Sequence, residues 1–416
     1  MRKYLLHIWL ALSLLLVSVT PLYAKSDVPE PFCGDLEQED CDLLFASSEA
    51  MFDLESYSTS VEYKLLQHGL PELPKESEAV LRIEGQYAFD DASRAATLEL
   101  ANLSREEPLQ VVQAIADNPD LLLDLYSGMT SDLVLTLDLS QSWTHLLEDS
   151  NVEWPEQTTI EVRLVDGILY FDISQLKEFI PELADRQDWL QLDLVDAIQR
   201  AVDSGTMETL AAGVADSSEG RSVWGLDPTM LNLITTMRSA FGRPKNLWPY
   251  MEINRRRDVK LDGQKGALFK TDFNVLDFIL SDDFHDVLMQ SATVASQQAD
   301  SEMSEEDITQ MVDLFFLFAP SLFRDLEVSG TSTIGIDDLY QHNGKTLFHW
   351  DISTLVKALS GMGVETGIDL ESEIFIDFST QFENSAFNEP VEVEAPDDAE
   401  VIPLDQMNMP GLEEFN

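Results

Sequence analysis

The sequence predicts an α+β fold, with one large antiparallel sheet of about eleven or twelve strands covered on one face by helices. Three observations carry this. Runs of alternating apolar and polar residues recur between residues 61 and 382. Tight-turn pairs, Asp166-Gly167 above all, separate neighbouring runs. Stretches with apolar residues at helical spacing fall between groups of these runs. Strands joined by hairpins need no parallel crossover, so every pairing is expected to be antiparallel.

Taken in order, a short helix is expected at 43–55. Val61, Tyr63 and Leu65 then alternate with polar neighbours. Val80–Ile83, Gln86–Phe89 and Thr97–Leu103 continue the strand pattern. A helix follows at 107–127, with Pro108 in its first turn and a break or kink at Asn118-Pro119. Leu133, Leu135, Leu137 and Leu139 line one face of the next strand, and Ile160, Val162 and Leu164 line another. Asp166-Gly167 turns that strand into Ile168–Ile173, and Trp189–Leu194 comes next. A mainly helical stretch covers 195–241, with Asp227-Pro228 as cap and first turn.

The second half repeats the style. Strands at 249–261 and 264–274 flank Asp262-Gly263. A helix is expected at 275–290, and another starts at Ser304 with Asp307 three residues on, a capping-box variant. That helix is expected to stop before Pro320. Strands at 325–336 and 339–352 follow, with Asn343-Gly344 as an alternative tight turn. Ser353 caps a short helix to 360, and a last long strand runs from Ile368 to Phe382, followed by Pro390–Val393.

The amino terminus reads as an export signal. Arg2 and Lys3 precede an apolar run from Leu5 to Val19, and Leu22-Tyr23-Ala24 ends on a small residue. Residues 1–24 are thus a secretory signal peptide cleaved near Ala24, with an uncleaved anchor as the alternative. Residues 25–42 form an extended segment carrying a disulfide loop, 43–402 a single domain, and 403–416 an acidic tail. The expected address is extracellular or in the cell envelope or periplasm. Cys33 and Cys41 are the two cysteines. An even pair at short spacing beyond an export signal is expected to form a disulfide. No histidine lies near them, and no lipobox precedes Cys33.

The chain has 25 Lys plus Arg against 77 Asp plus Glu, a formal net charge of -52. Such a surface repels nucleic acid, which is excluded as a partner. No apolar stretch beyond the signal is long enough to span a bilayer as a helix. A peripheral membrane or envelope partner stays open.

Catalytic signatures are missing from the sequence: no G-x-S-x-G, H-E-x-x-H, Walker or G-x-G-x-x-G motif occurs. No cofactor, metal site or catalytic residue is therefore assigned. His342 and His349 are seven apart and point to opposite strand faces, so they are not a ligand pair. Arg255-Arg256-Arg257 stands out; pairing with nearby carboxylates is preferred over capture of an anionic headgroup. The better functional clue is a set of methionines and aromatics on the helices: Met230, Ile234, Met237, Phe241, Phe278, Met289, Met311, Phe315 and Phe316. Such residues make adaptable apolar walls. They line a hydrophobic pocket between helices and sheet, or else fill an ordinary core.

The segment Val162–Asp172, Val-Arg-Leu-Val-Asp-Gly-Ile-Leu-Tyr-Phe-Asp, resembles a recurrent hairpin of the LolA/LppX-like lipoprotein-carrier superfamily of bacteria. Asp188–Leu194 is similar to the strand that follows it, and Phe387–Pro396 to that group's closing strand. The resemblance implies a strongly curved half-barrel whose helices plug the concave face, with lipid or acyl chains held between. The expected function is a secreted, non-enzymatic carrier for lipid or another hydrophobic ligand. A structural or envelope-interaction protein with a filled core is the alternative, and an extracytoplasmic hydrolase a weaker one.

Overall fold

The computed structural model describes residues 32–69, 76–106, 108–140, 155–180, 183–205, 247–261, 263–298, 304–354, 356–357 and 373–402. Its strands are β1 (Ser56–His68), β2 (Glu76–Phe89), β3 (Met129–Leu139), β4 (Gln157–Val165), β5 (Ile168–Asp172), β6 (Trp189–Asp193), β7 (Met251–Arg255), β8 (Val259–Lys260), β9 (Lys265–Phe273), β10 (Leu326–Gly335), β11 (Gln341–Asp351), β12 (Phe375–Ser385) and β13 (Glu400–Val401). Its α-helices are α1 (Gln38–Phe52), α2 (Asp91–Glu106), α3 (Pro108–Asp117), α4 (Asp120–Gly128), α5 (Leu194–Asp203), α6 (Val275–Ile279), α7 (Asp282–Gln298) and α8 (Glu305–Leu322).

All thirteen strands form one open sheet, in the order β13-β6-β5-β4-β3-β2-β1-β12-β11-β10-β9-β7, with β8 on β9. The result is an open α+β half-barrel, as the sequence predicts. Two meanders run outward from the centre: β1 to β6 on one side, β12 back to β9 on the other. They join where β1 pairs antiparallel with β12, from Ser58↔Ser385 to His68↔Phe375. The Asp166-Gly167 turn forms as expected. Both residues have positive φ, 51° and 76°, which a two-residue turn matched to strand twist requires.

Several expectations are corrected. Thr97–Leu103 is helical and belongs to α2. Its apolar residues fit period 3.6 as well as period 2: Ala96, Leu100 and Leu103 pack on Leu121, Leu125 and Tyr126. The helix expected at 275–290 is two helices. Asn274 caps α6 through the amide of Asp277, and the Ser281 hydroxyl accepts from the amide of Phe284 to start α7. The Ser304–Asp307 capping box forms in full, but α8 runs past Pro320 to Leu322. Pro320 lies in the last turn, where its missing N–H removes one helical bond while Ala319 stays buried.

Asn343-Gly344 makes no turn; it lies inside β11, opposite Glu383 and Phe382. The bend is earlier, where Leu339 has φ 65° and the Asp338 carboxylate accepts from the amide of Tyr340. The strand expected at 249–261 breaks into β7 and β8. The segment 25–42 is not extended throughout, because α1 starts at Gln38. No strand spans Phe387–Pro396, where Pro390 and Pro396 lack ladder donors. The chain closes instead on β13, which pairs with β6 in parallel; the sheet is therefore not wholly antiparallel. The expected signal peptide, the acidic tail and most of 195–241 lie outside the described residues.

The main core gathers Tyr57, Ile83, Tyr87, Leu133, Val162, Leu164, Leu169 and Phe171 from the inner face of β1–β5, with Met51 of α1. A smaller core joins Ile253, Ala267, Phe269 and Ile334 to Phe32, Leu36, Leu43 and Leu44. Cys33 and Cys41 are disulfide-bonded, with Cα atoms 5.4 Å apart, and hold this amino-terminal segment over the β7–β9 edge. Replacing both by serine is expected to lower unfolding free energy by about 2.5 kcal/mol, the chain-entropy value for so short a loop. A urea midpoint unchanged by the double substitution contradicts this.

The β13 strap offers a pH test. Glu400 accepts from the amide of Gln187 and pairs with Arg186. The Gln187 amide first, then the Arg186 guanidinium, hold the Glu400 carboxyl below its ordinary value of 4.5. A depressed folded pKa gives stability that is present above the unfolded value and lost as pH falls through the folded one. The Ile402 amide donates to Gln191 at 2.9 Å. Relative to the intrinsic amide rate at each pH, its hydrogen exchange is expected to accelerate on acidification below 4.5. In Glu400→Gln it is expected to be fast already at neutral pH.

Candidate functional site: an apolar wall across seven strands

Strand register places one residue beside the next across the sheet. Phe273 of β9 lies opposite Val328 of β10, and Val328 opposite Phe348 of β11. Phe348 lies opposite Phe378 of β12, Phe378 opposite Leu65 of β1, Leu65 opposite Ala79 of β2, and Ala79 opposite Leu139 of β3. Every member of this row is apolar. Alternation puts Tyr63, Leu81 and Leu137 on the same face, one step along the strands. The opposite face is charged: Arg82 bonds Glu62 and Asp138, and Lys64 lies 2.7 Å from Glu78.

The row is covered unevenly. At one end α6–α8 pack Val275, Ile279, Phe284 and Ala319 over Phe273, Leu326 and Val328. Along the strands, Tyr63, Leu81 and Ile160 run into the main core. Between these covers Leu65, Leu137 and Phe348 are only half-buried. Phe378, in mid-sheet, is 41% exposed. A large aromatic so placed normally lies under a covering layer.

Of the residues the sequence singles out, Phe278, Phe315 and Phe316 do come together. Phe278 and Phe284 have ring centroids 5.3 Å apart, and Phe315 and Phe316 5.6 Å. They form a packed aromatic cluster at the end of the wall. Met289 is half-buried on α7. Met311 is 49% exposed and points away from the sheet. Met230, Ile234, Met237 and Phe241 lie outside the described residues. The wall residues Leu65, Phe348 and Phe378 were missed as a site. Their signal was the period-2 alternation, which says that a face is oily and not what covers it.

A cleft of about 30 Å³ opens beside Met51, Phe52, Leu54, Tyr57, Phe89, Arg94 and Thr97. That volume suits a water molecule and is far too small for an acyl chain.

Polar side chains are tied into structure. His342 Nε2 lies 2.9 Å from Asp338, and His349 Nδ1 pairs with Asp377 across β11 and β12. Arg255 joins Asp40 of α1 and Asp258, the structural role expected of it, while Arg256 and Arg257 are exposed. On the charged face, burial raises the Asp132 carboxyl, opposed by the charge of Arg163 and reinforced by Glu161. Arg163 stacks over the Trp189 ring at 5.0 Å. Among the described residues no three His, Cys, Asp or Glu side chains gather as a metal site.

No family model matches the sequence, and no curated protein matches it. Solved structures do. Lipoprotein LppX of Mycobacterium tuberculosis is similar at 12% identity, with 85% of this chain and 100% of that chain covered and a TM-score of 0.25. LprF from Mycobacterium bovis is similar at 9% identity, covering 86% and 98%, with a TM-score of 0.28. A DUF1329 family protein from Desulfovibrio piger is similar at 7% identity, covering 85% and 92%, with a TM-score of 0.17. The likeness to LppX is to the group that the Val162–Asp172 hairpin resembles.

Proposed function

We propose that this chain is an exported, non-enzymatic carrier that shelters a lipid or another hydrophobic ligand against its inner wall. The supporting observation is the half-covered apolar row from Phe273 to Leu139, with Phe378 open at its centre. At about 4.8 Å between strands, seven strands give a wall of roughly 29 Å, longer than an extended fatty acyl chain. Burial alone supplies the affinity, at about 0.8 kcal/mol per methylene, so no charge pair or reacting group is needed. Export is supported by the amino-terminal apolar run and by the Cys33–Cys41 disulfide. Native mass spectrometry of the exported protein and titration with a fluorescent fatty acid test the reading. Co-purifying lipid or saturable uptake is expected; ligand-free protein that takes up no probe refutes it.

One observation favours a second reading, a structural envelope protein with a filled interior. The aromatic cluster on α6–α8 is packed ring against ring, and the cleft beside Tyr57 holds no more than water. Failed uptake together with an undiminished melting temperature is the outcome that reading expects.

A further inference from the structure

The apolar outer edge of α8 is not used by the wall. Ile308, Val312 and Ala319 are buried on one side of the helix. On the other side Met311, Leu314, Leu317 and Phe318 are 49%, 54%, 71% and 42% exposed. These four fall on one stripe at helical spacing. Leu280, at the end of α6, is exposed as well. From Leu314 to Phe323 the chain carries no charged residue, and Asp313 lies on the flank of the stripe. Exposed large apolar residues grouped in this way mark an interaction surface.

We propose that this edge docks the protein on a zwitterionic lipid surface. Charge selects the occupant. With a net charge of -52, a second copy and an anionic bilayer are both repelled at long range. An uncharged stripe meets no such penalty at a neutral interface. No helix of the described residues is long and apolar enough to cross a membrane, so α8 would lie along the interface, with its stripe among the upper acyl carbons. The position suits this role. The buried side of α8 faces the aromatic cluster over Phe273 and Val328, so the stripe lies outside one end of the apolar wall. The proposal holds whether or not that wall carries a ligand.

Co-sedimentation of the full-length protein with pure phosphatidylcholine vesicles tests it, with no ligand added. Binding is expected, and it should be weaker on vesicles containing phosphatidylglycerol. Leu317→Asp/Phe318→Asp should weaken binding about tenfold or more with an unchanged circular dichroism spectrum. Leu317→Ser, a milder change, should fall between the two. Absent vesicle binding, binding equal in wild type and double variant, or stronger binding to anionic vesicles would each overturn the proposal. So would wild-type dimerisation abolished by the double variant, which would assign the edge to a second copy of the chain.

Discussion

Replacing Tyr87 by alanine is expected to lower unfolding free energy by about 3–5 kcal/mol, enough to threaten the fold. Tyr87 is fully buried at the centre of the main core. Its ring stacks on Tyr57 at 5.4 Å and on Phe89 at 6.2 Å. The void left by alanine has rigid strands β1 and β3 on either side, which limits collapse. The phenylalanine variant separates packing from polarity. The hydroxyls of Tyr57 and Tyr87 are buried without a hydrogen-bond partner, so Tyr87→Phe is expected to be neutral or stabilising by up to about 1 kcal/mol. Burial raises both phenols above the usual 10.0, Tyr87 strongly so, with the neighbouring tyrosines adding to its shift. The folded state therefore keeps protons that the unfolded chain loses. Stability is full below the usual tyrosine pKa and falls as pH rises beyond it. Chemical denaturation of the two variants at neutral pH, and of wild type across the alkaline range, reads all three effects. Equal losses in the alanine and phenylalanine variants would disprove the packing account.

Phe378→Asp is the substitution expected to harm function most. It puts a carboxylate midway along the apolar row, between Phe348 and Leu65. Bound lipid would then lose an aromatic contact and bury a charge, so affinity for a fluorescent fatty acid is expected to fall about tenfold or more. Stability should change little, because Phe378 is already substantially exposed. Phe378→Leu should keep most of the affinity. Val134→Ser, on the charged face of β3, should leave it unaltered. If the aspartate and serine variants bind the probe alike, the wall is not the binding surface.

Much of this architecture was legible because its determinants are local. Alternation along Leu133–Leu139 and Ile160–Leu164 needed only neighbouring residues, as did the positive-φ turn at Asp166-Gly167 and the capping box at Ser304. Where a local pattern suited two periods, as at Thr97–Leu103, only contact with α4 selected the helix. The candidate site was half legible. Phe278, Phe315 and Phe316 read from the sequence as pocket candidates; in the structure their rings pack around Phe284 and fill space.

The amino-acid order alone determined a mostly antiparallel sheet with one oily face, helices inserted between its hairpins, and a short disulfide loop at the amino-terminal end. Those outcomes follow from side-chain alternation, turn residues and cysteine spacing, each acting over a few residues. Tertiary structure alone decided that Val61 lies beside Phe382, that Glu400–Val401 joins β6 in parallel, and that Phe378 stays open in mid-sheet. The physical reason is that cover over a sheet face depends on which distant segments return to it, and no short-range pattern records that return.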